Sequence, residues 1–116
     1  MYPGALQGIR VVELTDFVSG PFCSKVLAEL GADVIKVERP GCGDSSRTHG
    51  PFPGHIPNPE RSGLYLLANI NKRGLTLDPT TATGKKLLDR LLASTDILVE
   101  NQPYQAAQEL GLITKH

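Results

Sequence analysis

Hydrophobic positions change period several times along the chain, and the changes divide it into elements. Ile9-Arg10-Val11-Val12-Glu13-Leu14 is short, β-branched and preceded by a glycine, which predicts a buried strand. Ser19-Gly20-Pro21 then supplies a helix-capping residue and a proline suited to a first helical turn. Phe22, Val26, Leu27 and Leu30 follow at the i, i+4, i+5, i+8 spacing of one helix face, and Gly31 stands where a left-handed C-cap is expected. A second strand, Asp33-Val34-Ile35-Lys36-Val37-Glu38, comes at once. Strand, helix and strand with tight connections form a βαβ unit, which requires parallel strands.

From Arg39 to Ser62 the chain is dominated by Gly, Pro, Ser, Asn and His, the signature of a long irregular loop. Such loops inside compact domains are usually functional or mobile. Gly63–Asn69 is apolar enough for a short helix or buried turn, Asn71-Lys72-Arg73-Gly74 signals a turn, and Leu75-Thr76-Leu77-Asp78 predicts a third strand stopped by Pro79. Thr83-Gly84 leads into a helix over Lys85–Ser94 whose Leu87, Leu88, Leu91 and Leu92 share a face. Asp96–Glu100 is a fourth strand, and Pro103–Leu110 a last helix ended by Gly111. No internal repeat interrupts this order. Alternating strands and helices place the chain in the α/β class with an open, mostly parallel sheet flanked by helices. Ligands of such sheets sit at the carboxyl ends of the strands. Attention therefore falls on Thr15–Pro21, on the stretch from Arg39 onward and on Glu100–Pro103.

Composition narrows the possible roles. The chain has 116 residues, enough for one domain, with 12 Lys+Arg against 12 Asp+Glu. Zero net charge argues against a general nucleic-acid binder, which needs a basic excess to displace counterions. The best apolar run, around Leu64–Ala68, is far short of the roughly 18 residues of a membrane span. Met1-Tyr2-Pro3-Gly4 lacks the basic-then-apolar pattern of a secretory signal. Cys23 and Cys42 are too few for a disulfide scaffold, so a cytoplasmic protein with free thiols is expected, Cys23 as a buried structural thiol. Twelve Gly and nine Pro without a Trp are an awkward endowment for so small a domain, and suggest a piece of something larger.

Familiar chemical motifs are missing from the strand-end loops. The first turn, Thr15-Asp16-Phe17-Val18-Ser19-Gly20-Pro21, has neither the three spaced glycines of a dinucleotide fingerprint nor the Gly-Lys-Ser/Thr of a P-loop. A capped helix start explains it, with a weak anion site at its N–H groups as the functional alternative. No Ser sits in Gly-x-Ser-x-Gly, and His49, His55 and His116 with the two cysteines make no metal-binding spacing. Asp16, Asp44, Asp78 and Asp96 could each serve as nucleophile or base, Asp16 being best placed at the end of the first strand. Lys36, Arg39, Arg47, Lys72 and Arg73 are either solvated surface charges or, if Arg39 converges with Lys72 and Arg73, a pocket for a polyanion such as a nucleotide phosphate.

An ordered set of segments carries a resemblance. Gly8-Ile9-Arg10-Val11-Val12-Glu13-Leu14 and Ser19-Gly20-Pro21-Phe22 come first, then Leu30-Gly31-Ala32 continuing through Asp33–Glu38 to Arg39-Pro40-Gly41 and Gly43-Asp44. Asn71-Lys72-Arg73, Leu77-Asp78 and Asp96-Ile97-Leu98-Val99-Glu100-Asn101 complete it. In this order and at these spacings, over nearly the whole chain, they resemble the N-terminal part of the class III CoA-transferases, the group of formyl-CoA transferase, carnitine and bile-acid CoA-transferases and α-methylacyl-CoA racemase. The resemblance implies a Rossmann-like, coenzyme A-binding segment over residues 1–116, belonging to a larger fold. It implies that Phe17, Val18 and Ser19 line the adenine and pantetheine path, that Arg39, Lys72 and Arg73, beside Asn71, hold the nucleotide phosphates, and that Asn101 and Gln102 lie beside the cofactor. Two departures stand out: Gln102 replaces a frequent aromatic residue, and Glu109 replaces a frequent Arg just before Leu110-Gly111. The partners implied are an acyl-CoA and a carboxylic acid, without a metal, in an interlocked homodimer. The aspartate that attacks the thioester in this family lies downstream of the matched region, and Asp16 does not align with it, so the resemblance assigns no catalytic residue here. A non-catalytic CoA-binding or assembly module, or part of an acyl-CoA racemase, is the alternative.

Overall fold

A computed structural model describes residues 4–113; Met1–Pro3 and Thr114–His116 lie outside the described residues. Four strands form one parallel sheet in the order β3-β2-β1-β4: β1 is Arg10–Leu14, β2 Asp33–Glu38, β3 Arg73–Thr76 and β4 Ile97–Glu100. The helices are α1 (Ser19–Glu29), α2 (Gly63–Ala68), α3 (Ala82–Ala93) and α4 (Tyr104–Glu109). The open, parallel α/β sheet expected from the alternating pattern is present, in the Rossmann-like form that the resemblance implies. The long loop from Arg39 to Ser62 carries two short 3-10 turns, Ser45–Thr48 and Pro53–His55.

The two central strands explain the sheet's two cores. Side chains alternate across a strand, so Val12, Leu14, Ile35 and Val37 face one side while Val11 and Val34 face the other. The first set packs with Leu77 and the fully buried Leu88 of α3, with Leu91, Leu92 and Leu98 at its margin. The second packs with Ala28 and Ala32 at the end of α1, beside Leu27 and Val99. Of the leucine face expected on α3, Leu87 stays exposed.

Helix α1 departs from the expected orientation. Its buried residues are Gly20, Pro21, Ser24 and Ala28, whereas Phe22, Val26 and Leu30 are 53%, 39% and 46% exposed. The cause is steric. A Cβ on Gly20 would lie 2.5 Å from the Thr15 Cβ, so the first turn of the helix lies close against the residue that follows β1 and turns its small residues inward. Val18 is the N-cap and makes no side-chain capping bond, and Ser19 is the first helical residue, not the cap. Cys23 is exposed, as is Cys42, which corrects the expectation of a buried thiol. Gly31 takes the expected left-handed conformation after the C-cap.

Strand β3 begins two residues earlier than its apolar pattern suggests. Asn71, not a glycine, takes the positive φ of the turn at 65°, and its side-chain amide donates to the Ala28 carbonyl at 3.1 Å. That anchor starts the ladder at Arg73, opposite Ile35, and ends it at Thr76, opposite Glu38. Helix α3 likewise starts early, because Thr81 caps it by accepting from the Gly84 amide at 3.0 Å.

Leu88 joins α3 to the sheet at the centre of the larger core. Leu88→Ala should lower unfolding stability by about 2–5 kcal/mol, measured by urea denaturation followed by circular dichroism; a loss within experimental error would show that α3 is not seated on Val12, Leu14 and Val37.

Candidate functional site

Beneath the carboxyl edge of the sheet lies a group of four charges drawn from separate segments. Glu13 and Lys36 are register partners on the α1 face of β1 and β2, and both are fully buried. Lys36 Nζ meets Glu13 Oε1 at 2.9 Å and Asp44 Oδ2 at 2.7 Å, while Lys72 Nζ meets Glu13 Oε2 at 2.8 Å. The contacts to Glu13 Oε2 and Asp44 Oδ2 are short ion pairs without hydrogen-bonding alignment. Lys72 is tied further to the Pro21 carbonyl and to Asn69 Oδ1, each at 2.8 Å. Burial pulls the Lys72 ammonium below its ordinary value against the opposing pull of Glu13. Two acids and two bases cancel, which is how so many charges are accommodated out of water.

Three carboxylates fasten the long loop, Asp16 and Glu38 from strand ends and Asp44 from within the loop. Asp16 accepts from the Ser45 amide and hydroxyl at 2.7 and 2.6 Å. Asp44 Oδ1 accepts from the Ser46 amide and hydroxyl at 2.8 and 2.6 Å, and from the Phe17 amide at 3.2 Å. Burial raises the Asp44 pKa, but the Lys36 ammonium and the bonds from Ser46 outweigh it and hold the carboxyl low. Glu38 accepts from the Asp44 amide, from both Nε and Nη2 of Arg47 and from the Tyr65 hydroxyl, at 2.7–2.8 Å. The Arg47 guanidinium also lies over the Tyr65 ring, 3.7 Å from its centre. Burial works against the Glu38 charge, yet these donors bring its pKa from 4.5 down to about 2. Gly43 is required here: its φ is +64°, and a Cβ would come within 2.5 Å of Glu38 Oε2.

From the β4 end, Asn101 clamps the first turn, accepting from the Asp16 amide at 3.0 Å and donating to the Asp16 carbonyl at 2.9 Å. Gln102 Nε2 donates to the Leu14 carbonyl at 3.0 Å. Between these fastened loops opens a cavity of about 980 Å³. Leu14, Val37 and Leu77 form part of its apolar lining, Phe17, Arg39, Asn101 and Gln102 reach it from three strand ends, and Ala106, Glu109 and Leu110 line it from α4. This is where ligands of open parallel sheets are held.

The CoA-transferase family III profile matches residues 6–116 of the sequence. The chain belongs to CoA-transferase family III. It is 42% identical over 112 residues to a formyl-CoA:oxalate CoA-transferase of Escherichia coli, an alignment covering 96% of this chain and 26% of that enzyme. A CAIB/BAIF family protein of Brucella suis superposes with a TM-score of 0.84 at 35% identity, covering 97% of this chain and 30% of the other. Rv3272 of Mycobacterium tuberculosis gives a TM-score of 0.81 at 36% identity, covering 95% and 30%. The chain thus spans about a quarter of the length of the curated relatives it matches.

Set against the positions that the family resemblance implied, the structure divides the site residues. Phe17, Arg39, Asn101 and Gln102 line the cavity. Val18 and Ser19 begin α1 and are not among its lining residues. Asn71 holds the end of α1, Lys72 is buried against Glu13, and Arg73 pairs with Asp33 at 2.7–2.9 Å at the amino end of the sheet. Arg39 therefore does not converge with Lys72 and Arg73. The turn Pro79–Thr81, with Lys85, also borders the cavity and was not singled out from sequence, where only Asp78 before it was named, as a possible nucleophile or base. It follows a strand's carboxyl end as the others do, but an apolar pattern that ends β3 two residues late conceals it. Among the described residues no cluster of metal-ligating side chains occurs, and no helix is long and apolar enough to cross a membrane.

Lys36→Met leaves Glu13 and Asp44 buried with one cation fewer, and should cost about 3–5 kcal/mol of stability in chemical denaturation; an unchanged midpoint would show that the ion pairs are not coupled to folding. The depressed Glu38 pKa adds stability that is complete above pH 4.5 and is lost as pH falls toward 2. Glu38→Gln should flatten that acid limb in a pH series of thermal unfolding, and an acid limb as steep as the wild type's would contradict the assignment.

Proposed function

We propose that residues 1–116 form the Rossmann-like, coenzyme A-binding segment of a class III CoA-transferase, and that the cavity at the carboxyl edge holds the nucleotide end of an acyl-CoA. The observation that carries this reading is the meeting of Arg39 with an apolar-walled cavity at the strand ends, in a chain 42% identical to a formyl-CoA:oxalate CoA-transferase. A CoA moiety asks for both features: an apolar slot for adenine and pantetheine, and a guanidinium for phosphate oxygens. Arg39 is exposed, and among the described residues no ion pair or hydrogen bond engages its guanidinium, so it is available to a phosphate.

The reaction proposed for the whole protein exchanges CoA between an acyl-CoA and a free carboxylate. An enzyme carboxylate attacks the thioester carbonyl and expels the CoA thiolate, leaving a mixed anhydride. The thiolate attacks the enzyme-side carbonyl of that anhydride, giving an enzyme–CoA thioester and releasing the donor acid as its carboxylate. The acceptor carboxylate takes the CoA by the same two steps in reverse. The residues of this chain bind and orient the CoA; the attacking aspartate belongs to a segment downstream of the matched region. Asp16 and Asp44 are unsuited to that role, since both oxygens of each are already engaged by donors or by Lys36. A cytoplasmic homodimer in acyl-CoA metabolism is the setting proposed. Glu109 on the cavity wall favours a second reading, a binding module without turnover, because a carboxylate there opposes a polyanion.

Isothermal titration with CoA should give a saturable heat at or below millimolar ligand, with affinity falling as salt rises. Arg39→Ala should weaken it about tenfold or more, the weight of one charge-assisted hydrogen bond, whereas Glu109→Arg should tighten it. Absence of heat at millimolar CoA would overturn the reading.

A further inference from the structure

Phe17 holds an unfavourable backbone conformation on the wall of the cavity. Its φ is +72°, a left-handed value that bulky side chains rarely adopt and that persists only where the surroundings impose it. Asn101 constrains the residue before it, through both backbone groups of Asp16. The contact to Phe17 itself comes from Asp44, whose Oδ1 accepts from the Phe17 amide at 3.2 Å. Asp44 is only 3% exposed, and it cannot turn away, because Lys36 holds its Oδ2 while Ser46 donates twice to Oδ1. The ring is met from the same segment: His49 stands edge-on to Phe17 with centroids 5.0 Å apart. Backbone and ring of Phe17 are thus both held by the chain from Asp44 to His49.

We infer that Asp44 is a positioning residue, which fixes the left-handed turn at Phe17 and thereby presents the Phe17 ring to the CoA moiety. The inference rests on the reading of the cavity as a CoA site. A ring held in place before the ligand arrives spares the ordering that binding would otherwise require. Without its acceptor, the Phe17 amide is free, the backbone relaxes toward negative φ, and the ring leaves the wall. Asp44 acts through Phe17 and does not itself touch the ligand.

Amide hydrogen exchange at Phe17 and CoA titration, measured on the same variants, test this. Asp44→Ala should reduce Phe17 protection by about tenfold or more and weaken CoA about tenfold. Asp44→Asn, which keeps an Oδ1 acceptor but takes an anion from Lys36, should retain more Phe17 protection and more CoA affinity than Asp44→Ala. Phe17→Gly, which accepts a positive φ without strain, should itself weaken CoA about tenfold, and adding Asp44→Ala to it should change affinity by less than about threefold. Asp44→Ser, too short to reach the Phe17 amide, replaces Asp44→Ala if that variant does not fold. Loss of Phe17 protection with unchanged CoA affinity would overturn the proposal. So would an Asn variant as impaired as the Ala variant, or fully additive effects of the two substitutions. If the wild-type chain gives no heat with CoA, the CoA reading fails first, and Phe17 protection alone then decides whether Asp44 fixes the turn.

Discussion

Everything at the carboxyl edge of this sheet depends on keeping four buried charges in mutual contact. Glu13 and Lys36 sit side by side in the two central strands, where hydrophobic neighbours would be the ordinary choice. Each recruits a partner from a connection: Lys36 holds Asp44, and Glu13 holds Lys72. The long loop and the turn before β3 are therefore attached to the same two strand residues. The attachment is directional and exact in charge, unlike apolar packing, which would tolerate several loop positions. A cavity whose walls come from distant parts of the chain needs that kind of attachment.

The order of elements is legible in the sequence because apolar periodicity and the breakers around it agree. Val11-Val12, Val34-Ile35 and Leu98-Val99 are β-branched or branched runs bounded by turn residues, and each is a strand. Helix α1 is misread at the level of its face, since Phe22, Val26 and Leu30 satisfy the spacing of a buried stripe while the true inner face is Gly20, Pro21, Ser24 and Ala28. Periodicity ranks residues by hydrophobicity, but close approach ranks them by size, and at Gly20 size decides. The start of β3 is hidden for a different reason. Its first residues, Arg73 and Gly74, carry no strand signal and join the sheet through the backbone ladder to β2.

The candidate site is legible only in part, again for physical reasons. Strand-end geometry points to the loops that hold Phe17, Arg39 and Asn101, all of which border the cavity. A lysine in sequence carries no sign of whether its charge is free. Lys72 follows a turn signal and looks solvated, yet it is spent on a buried glutamate; Arg73, its neighbour, points to the opposite end of the sheet. The charges inside the strands were the available clue. Glu13 and Lys36 interrupt the apolar stretches Val11–Leu14 and Val34–Val37, and a charge in the middle of a central strand needs a countercharge nearby.

The outward-turned stripe on α1 has a consequence of its own. Phe22, Val26 and Leu30 recur at every fourth residue along one side of the helix, and Leu66, Leu67 and Ile70 are exposed on and just after α2, which touches α1. None of them lines the cavity. An apolar stripe thus lies on the α1–α2 side of the body, apart from the cavity and its pinned rim. On a hydrophobic chromatography resin or at an air–water interface, that stripe offers the body a point of attachment that leaves the cavity lining untouched.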